Sequence, residues 1–458
     1  MEDMKNGKRS SFSGKLGYVL AAAGASVGLG NIWRFPYLAA KYGGGIFLII
    51  YIVLALTFGY TMIVAETAIG RMTRKSPVGA FKSFGKKKWL SFGGWINAVI
   101  PVLIVPYYSV IGGWVIKYLV EYFRGNAKQL AEDGYFTDFI SNGVSTELCF
   151  MAFCAFTLII IFAGVQNGIE RVSKIMMPIL IVLSVIIAVY SVTRPGALAG
   201  VKYFLVPNVK NFSWMTVVSA MGQMFYSLSI AMGILITFGS YMKKDTAIED
   251  STRNVEVFDT GIAIMAGLMI IPAVFAFSGG DPDTLQAGPS LMFITIPKVF
   301  QNMGFGTVIG IVFFLLVLFA AVTSSIALTE SAVSTFEDEL GWGRKKATVL
   351  VGVIMLALGS LSSLGYGPLA GIKIIGMQFL DLFDFLTNSV MMPIAALLTS
   401  LLVSRVVGID KIEEEIIHGE SAFRRKKVFV VMIKYLCPVF AIIILLSSVA
   451  NALGWIKM

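Results

Sequence analysis

Apolar runs of about 18 residues or more recur along the whole chain, each long enough to cross the hydrocarbon core of a bilayer as a helix. This regularity excludes most folds, because an unpaired backbone polar group in hydrocarbon costs several kcal/mol and only helices and closed barrels avoid it. The runs are too long for barrel strands. Spans are expected near 15–40, 45–70, 92–124, 148–165, 170–193, 214–242, 254–278, 304–339, 344–365, 372–405 and 428–455, about eleven in all. Of 458 residues, 57% are hydrophobic and 14% charged, so the gaps leave no room for a separately folding domain. One polytopic all-α membrane domain over 1–458 is the expectation.

The formal charge of +10 falls in short gaps, without the aromatic or glycine-rich pattern of nucleic-acid recognition. Lys and Arg concentrate before the first span, in "GRMTRKSPVGAFKSFGKKKW" (70–89), "YMKKDT" (241–246), "GWGRKKA" (341–347) and "FRRKKV" (423–428). Such alternate gaps read as cytoplasmic. The chain is expected in the plasma membrane, with its N-terminus cytoplasmic and, after an odd number of spans, its C-terminus extracellular. Lys5, Lys8, Arg9 and Lys15 ahead of "LGYVLAAAGAS" imitate a secretory leader, but the polar "GNIWRFP" that follows marks a retained span. Cys149, Cys154 and Cys437 lie in apolar segments and read as packing residues. Asn211-Phe212-Ser213 reads as a chance sequon. The sole histidine, His418, sits in "KIEEEIIHGE" without a nucleophile or metal cluster, so no enzyme is indicated, and no obligate protein partner is evident.

Two spans are unsuited to continuous helix. The first carries "GASVGLGNIWRFP" (24–36) at its middle, and the sixth, "MGQMFYSLSIAMGILITFGSYM" (221–242), is interrupted by small and polar residues. Breaks at corresponding places of two five-span halves point to an inverted-repeat secondary transporter with its site at the midplane. Repeats are expected at 15–193 and 214–405, with 428–455 an additional helix. Asp259 stands out separately, since a carboxylate within a span is costly and marks a functional site.

The breaks, together with "YGGGIFLIIY" (42–51), "YYSVIGGW" (107–114), "GQMFYSLSIAMG" (222–233) and "FAAVTSSIA" (319–327), resemble the neurotransmitter:sodium symporter family, and in particular its bacterial amino-acid transporters with eleven helices. The likeness runs from about Arg9 to the last span. It implies sodium-coupled amino-acid uptake by alternating access, with two Na⁺ ions as coupling ligands and no other cofactor. By resemblance, carbonyls of Gly24, Val27 and Ala320 with the hydroxyls of Thr323 and Ser324 hold one sodium. The Ser26 carbonyl, Asn31, Ser227, Asp259 and the substrate carboxylate hold the other.

The same likeness sets the substrate carboxylate on the Leu29 and Gly30 amides and the Tyr108 hydroxyl. The ammonium meets carbonyls of Ser26, Tyr226 and Ser227, near Ser229. Ile104, Tyr108, Tyr226, Met232, Ser324 and Leu328 line a side-chain pocket without a full charge, which suits hydrophobic or aromatic L-amino acids because a charged side chain would go unpaired. Monoamine carriers of the family place an aspartate where this chain has Gly28, so the carboxylate here is expected to come from the ligand. Many animal members of the family, which carry Ser or Asn at the sodium site, need chloride, and some bacterial ones use a glutamate one turn on, where this chain has Ala263. Asp259 is therefore expected to supply the compensating charge without chloride.

The resemblance also implies gates: Arg34 with Asp384 on the outer side, under which Tyr108 and Tyr226 form a lid, and Arg9 with Asp338 on the inner. Gly168 and Pro178 match a family spacing that permits local unwinding of the fifth span. The segment 279–303 reads as a loop that dips back as a lid. A proton-coupled carrier using Asp259, or an amino-acid sensor that does not transport, would share most of these features.

Overall fold

The computed structural model describes residues 9–279, 288–452 and 455. Lys5, Lys8 and part of the 279–303 loop lie outside them. Among the described residues the chain is helical, and the only β pairings are isolated bridges between Gly44 and Pro207 and between Ile374 and Met377.

The first span divides into α1 (Lys15–Ser26) and α2 (Gly30–Lys41), bent by 54°. Val27 turns extended at the end of α1, with φ −74° and ψ 92°. Then come α3 (Gly45–Thr73), α4 (Lys88–Phe123), α5 (Gly143–Phe162) and α6 (Val165–Val192). The sixth span divides into α7 (Trp214–Ser227) and α8 (Ile234–Tyr241). After α9 (Ile248–Ser278), the shorter apolar helix α10 (Leu291–Gln301) precedes α11 (Gly306–Leu340), α12 (Arg344–Leu364), α13 (Phe379–Val407) and α14 (Lys426–Ala452). Nine continuous helices among the described residues are long and apolar enough to cross a bilayer. The two interrupted spans complete the expected series.

The packing repeats between halves. The broken span of each half lies against the second span of the other, α1 on α9 and α8 on α3. Likewise α4 packs on α11 and α5 on α12. The chain is thus an all-α inverted repeat of two five-span halves with α14 added, resting on α13 and α7.

Four helix starts differ by five residues or more from the sequence expectation, α6 beginning at Val165 rather than 170 and α9 at Ile248 rather than 254. Helix α5 starts at Gly143 rather than 148, because the Asn142 side chain caps it by accepting from the Ser145 amide at 3.0 Å. Helix α13 starts at Phe379 rather than 372, since Ile375 and Gly376 turn left-handed and Ile374 and Met377 pair backbone to backbone. Hydropathy registers neither a cap nor a turn. In the 279–303 segment, α10 is buried on one side, and the Tyr118 hydroxyl donates to the Phe293 carbonyl at 2.8 Å.

Candidate functional site

The two breaks lie side by side and are bonded to one another. The Ser229 hydroxyl donates to the Ala25 carbonyl at 2.8 Å, that of Ser26 to the Leu228 carbonyl at 3.3 Å, and the Gln223 amide to the Gly30 carbonyl at 3.1 Å. Carbonyls released from one helix are thereby satisfied by the other, as buried backbone requires. Ser229 and Ala231 sit at φ 51° and 58°, a left-handed region that costs a residue with a side chain about 1–3 kcal/mol. The surroundings enforce it: the Ala231 amide donates to Glu66 Oε1 at 2.7 Å.

Around this junction is a small cavity, lined from the breaks by Ser26, Leu29, Gly30 and Asn31, from α4 by Ile104 and Tyr108, and beyond these by Tyr226, Ser229, Met232, Ser324 and Leu328. The Tyr108 hydroxyl accepts from the Leu29 amide at 3.3 Å. Ser227 is not on the cavity wall, because its hydroxyl is drawn to Asp259. Two glycines keep the space open. A Cβ at Gly28 would stand 2.7 Å from Ser324 Oγ and 3.1 Å from the Tyr108 hydroxyl, and one at Gly30 would fall 2.3 Å from the Tyr226 ring.

Asp259 is fully buried, and every hydrogen-bond partner it has is neutral. Its carboxylate accepts from Asn31 Nδ2 at 2.8 Å, from Ser227 Oγ at 2.9 and 3.0 Å, and from the Tyr51 hydroxyl at 3.1 Å. Removing an ion from water costs several kcal/mol, and among the described residues no cationic side chain pairs with that charge. A second oxygen cluster lies across the first break. Ser324 Oγ is within 3.2 Å of the Gly24 and Ala25 carbonyls and 3.4 Å of that of Val27, while Thr323 Oγ1 donates to Phe319 and Ala320 carbonyls at 2.9 and 3.2 Å. Gly24 allows this approach, since its Cβ would lie 3.1 Å from Thr323 Cβ. Both clusters are sets of hard oxygens suited to a small hard cation, and among the described residues no His/Cys/Asp/Glu group fit for a transition metal exists.

At one end of the bundle, Arg9 is paired with Asp338. Arg9 Nε also donates to Ser240 Oγ at 3.1 Å, and the Ser76 amide donates to Asp338 at 2.7 Å. At the other end, Arg34 and Asp384 line one crevice above Tyr226 without forming an ion pair. Asp384 instead accepts from Asn388 Nδ2 at 2.6 Å and from the Tyr107 hydroxyl at 3.2 Å, and Arg34 lies over the Tyr226 ring, 5.3 Å from its centre. Val165–Glu170 at the start of α6 is a widened π-helical turn containing Gly168, and Pro178 lies inside the helix further on.

Sequence reasoning missed Tyr51, Glu66, Gln223, Tyr107 and Asn388. Glu66 had a signal available, being a carboxylate inside an apolar run like Asp259. Tyr51 ends a quoted motif but is one of many aromatic residues in a span. Its partner is visible only in three dimensions.

Paired helix breaks bonded to one another and a buried carboxylate with only neutral partners define an inverted-repeat, ion-coupled membrane transporter. More narrowly, the chain belongs to the Sodium:neurotransmitter symporter family, whose model matches residues 9–133 and 121–455, and it is a sodium-dependent transporter. It is 34% identical to the uncharacterized sodium-dependent transporter YhdH of Bacillus subtilis, over 97% of this chain and 99% of that one. An uncharacterized sodium-dependent transporter of Haemophilus influenzae is 31% identical over 97% of this chain and 99% of its own. The crystal structure of MhsT in complex with L-phenylalanine superposes with a TM-score of 0.86 at 34% identity, covering 96% of this chain and all of that one.

Proposed function

We propose that the protein takes up hydrophobic or aromatic L-amino acids on the sodium gradient, by alternating access and without chloride. The observation that carries this reading is Asp259, a buried carboxylate facing only neutral donors beside freed backbone carbonyls. A bound sodium ion supplies the missing countercharge there. The substrate's carboxylate completes the shell, so substrate and ion stabilise one another. Gly28 leaves room for that carboxylate, which favours an amino acid over an amine. The apolar wall of Ile104, Met232 and Leu328 favours a side chain such as that of the L-phenylalanine bound by MhsT.

A second sodium at Gly24, Val27, Ala320, Thr323 and Ser324 joins the first broken span to α11. Loss of that ion frees the Arg9 end to open, with the π-helical turn around Gly168 as the water path. The basic gaps support a cytoplasmic position for this end. Two ions, each worth about 2.3 kcal/mol per 100 mV and 1.4 kcal/mol per tenfold gradient, support accumulation on the order of 10⁵-fold.

Uptake of radiolabelled L-phenylalanine into proteoliposomes tests the reading. It is expected to vanish when choline replaces sodium, to persist when gluconate replaces chloride, and to be competed by tryptophan and leucine. Uptake that follows a proton gradient in choline would make the protein a proton-coupled carrier. Binding without uptake would make it a sensor, and competition by small polar amino acids alone would overturn the pocket assignment.

A further inference from the structure

Several cations at the Arg9 end of the bundle have carboxylate partners. Arg71 and Lys244 pair with Glu415, Arg253 with Asp250, Arg425 with Glu256 and Lys426 with Glu413. Arg405 and Lys434 are exposed and, among the described residues, have neither an ion pair nor a hydrogen bond through their side chains. They also share a setting. Arg405 lies in the π-helical turn Leu402–Val407 of α13, Lys434 in the π-helical turn Met432–Leu436 of α14, and these two turns pack against each other. Such widened turns are uncommon and concentrate at functional sites.

Lys434 stands about two turns inside the start of α14 and two turns beyond the exposed Lys427, and the exposed residues around it are apolar at Val431, Tyr435, Val439 and Ile442. A bare ammonium among side chains of that kind faces lipid, where an unpaired charge is costly. Its stem can carry the charge toward the headgroup level, and the guanidinium of Arg405, on the turn packed against its own, supplies the planar fork that suits a phosphate. Tyr435 beside it has the amphipathic ring of the membrane interface.

We propose that Arg405 and Lys434 form a binding site for the headgroup of an anionic phospholipid, whose acyl chains lie along the Val431 and Val439 face of α14. The site lies on the outer surface of the bundle and is independent of the substrate cavity.

Native mass spectrometry of the full chain in detergent, titrated with phosphatidylglycerol or phosphatidylcholine, tests it. The parent protein is expected to hold one phosphatidylglycerol in preference to phosphatidylcholine. R405Q/K434Q is expected to bind it about 30-fold more weakly, the worth of two cations near an anionic surface. R405K/K434R should retain it, and K345Q/K346Q, which removes equal charge at the start of α12, should bind like the parent. If the double variant aggregates, R405Q and K434Q singly should each show about a fivefold loss. Equal binding of the two lipids, an unchanged R405Q/K434Q, or an equal loss in K345Q/K346Q would each overturn the proposal. So would a variant that changes only the oligomeric mass.

Discussion

Replacing Asp259 with Asn tests the charge argument with little change in shape. The Asn carbonyl can still accept from Asn31 Nδ2, now 2.8 Å from the carboxylate, and the hydroxyls of Ser227 and Tyr51 can turn to accept from the new amide. What is lost is the full negative charge next to the ion. Two unit charges about 4 Å apart at an effective dielectric of about 20 attract by about 4 kcal/mol, close to a thousandfold in affinity. Part is recovered from the amide dipole, so a loss of sodium affinity of about 100- to 1,000-fold is expected. Substrate affinity at saturating sodium should fall much less. The assay is equilibrium binding of radiolabelled L-phenylalanine against sodium concentration, with chloride present and then replaced by gluconate. Because a neutral amide is easier to bury than a lone carboxylate, melting without sodium should not drop, which separates a binding defect from a folding one. If D259N melted like the parent and kept its sodium dependence, Asp259 would not be the compensating charge.

Gly28→Asp puts a carboxylate against Ser324 and Tyr108, where the substrate's own is expected to sit; L-phenylalanine binding should fall at least 100-fold by scintillation proximity, and retained binding would refute the carboxylate assignment. Ser324→Ala removes a hydroxyl that touches three carbonyls of the first break, so half-maximal sodium for uptake should rise about tenfold, the size expected for a lost hydrogen-bonding or coordinating group. Arg9→Ala frees Asp338 and Ser240, and amide exchange in residues 9–14 and at the end of α8 should speed up by a factor of about 5–10. Unchanged exchange would mean that the Arg9–Asp338 pair does not hold this end closed.

The sequence was most informative where the bilayer itself imposes the rule. Hydropathy located the continuous spans because every backbone group must be paired within them. Gly24, Gly28 and Gly30 gave away the first break, and the small polar run after Tyr226 the second. Three-dimensional neighbours stayed hidden wherever the bond crosses between distant parts of the chain. Tyr51 reaches Asp259 from another span, and Glu66 holds the Ala231 amide from α3. The Arg34 and Asp384 expectation illustrates a different limit. Both residues stand in the same crevice, but Asn388 and Tyr107 occupy the carboxylate, a competition that no spacing along the chain records.

The bonds exchanged between the two breaks have a consequence for the origin of such a molecule. Ser229 completes the backbone at Ala25 and Ser26 completes that at Leu228, so a polypeptide of half this length would own neither an intact break nor a site. An ancestral half-length gene could have encoded a working carrier only as an antiparallel pair. Fusion of its two copies would then have made obligatory a partnership that was already needed for each half to be dry inside the membrane.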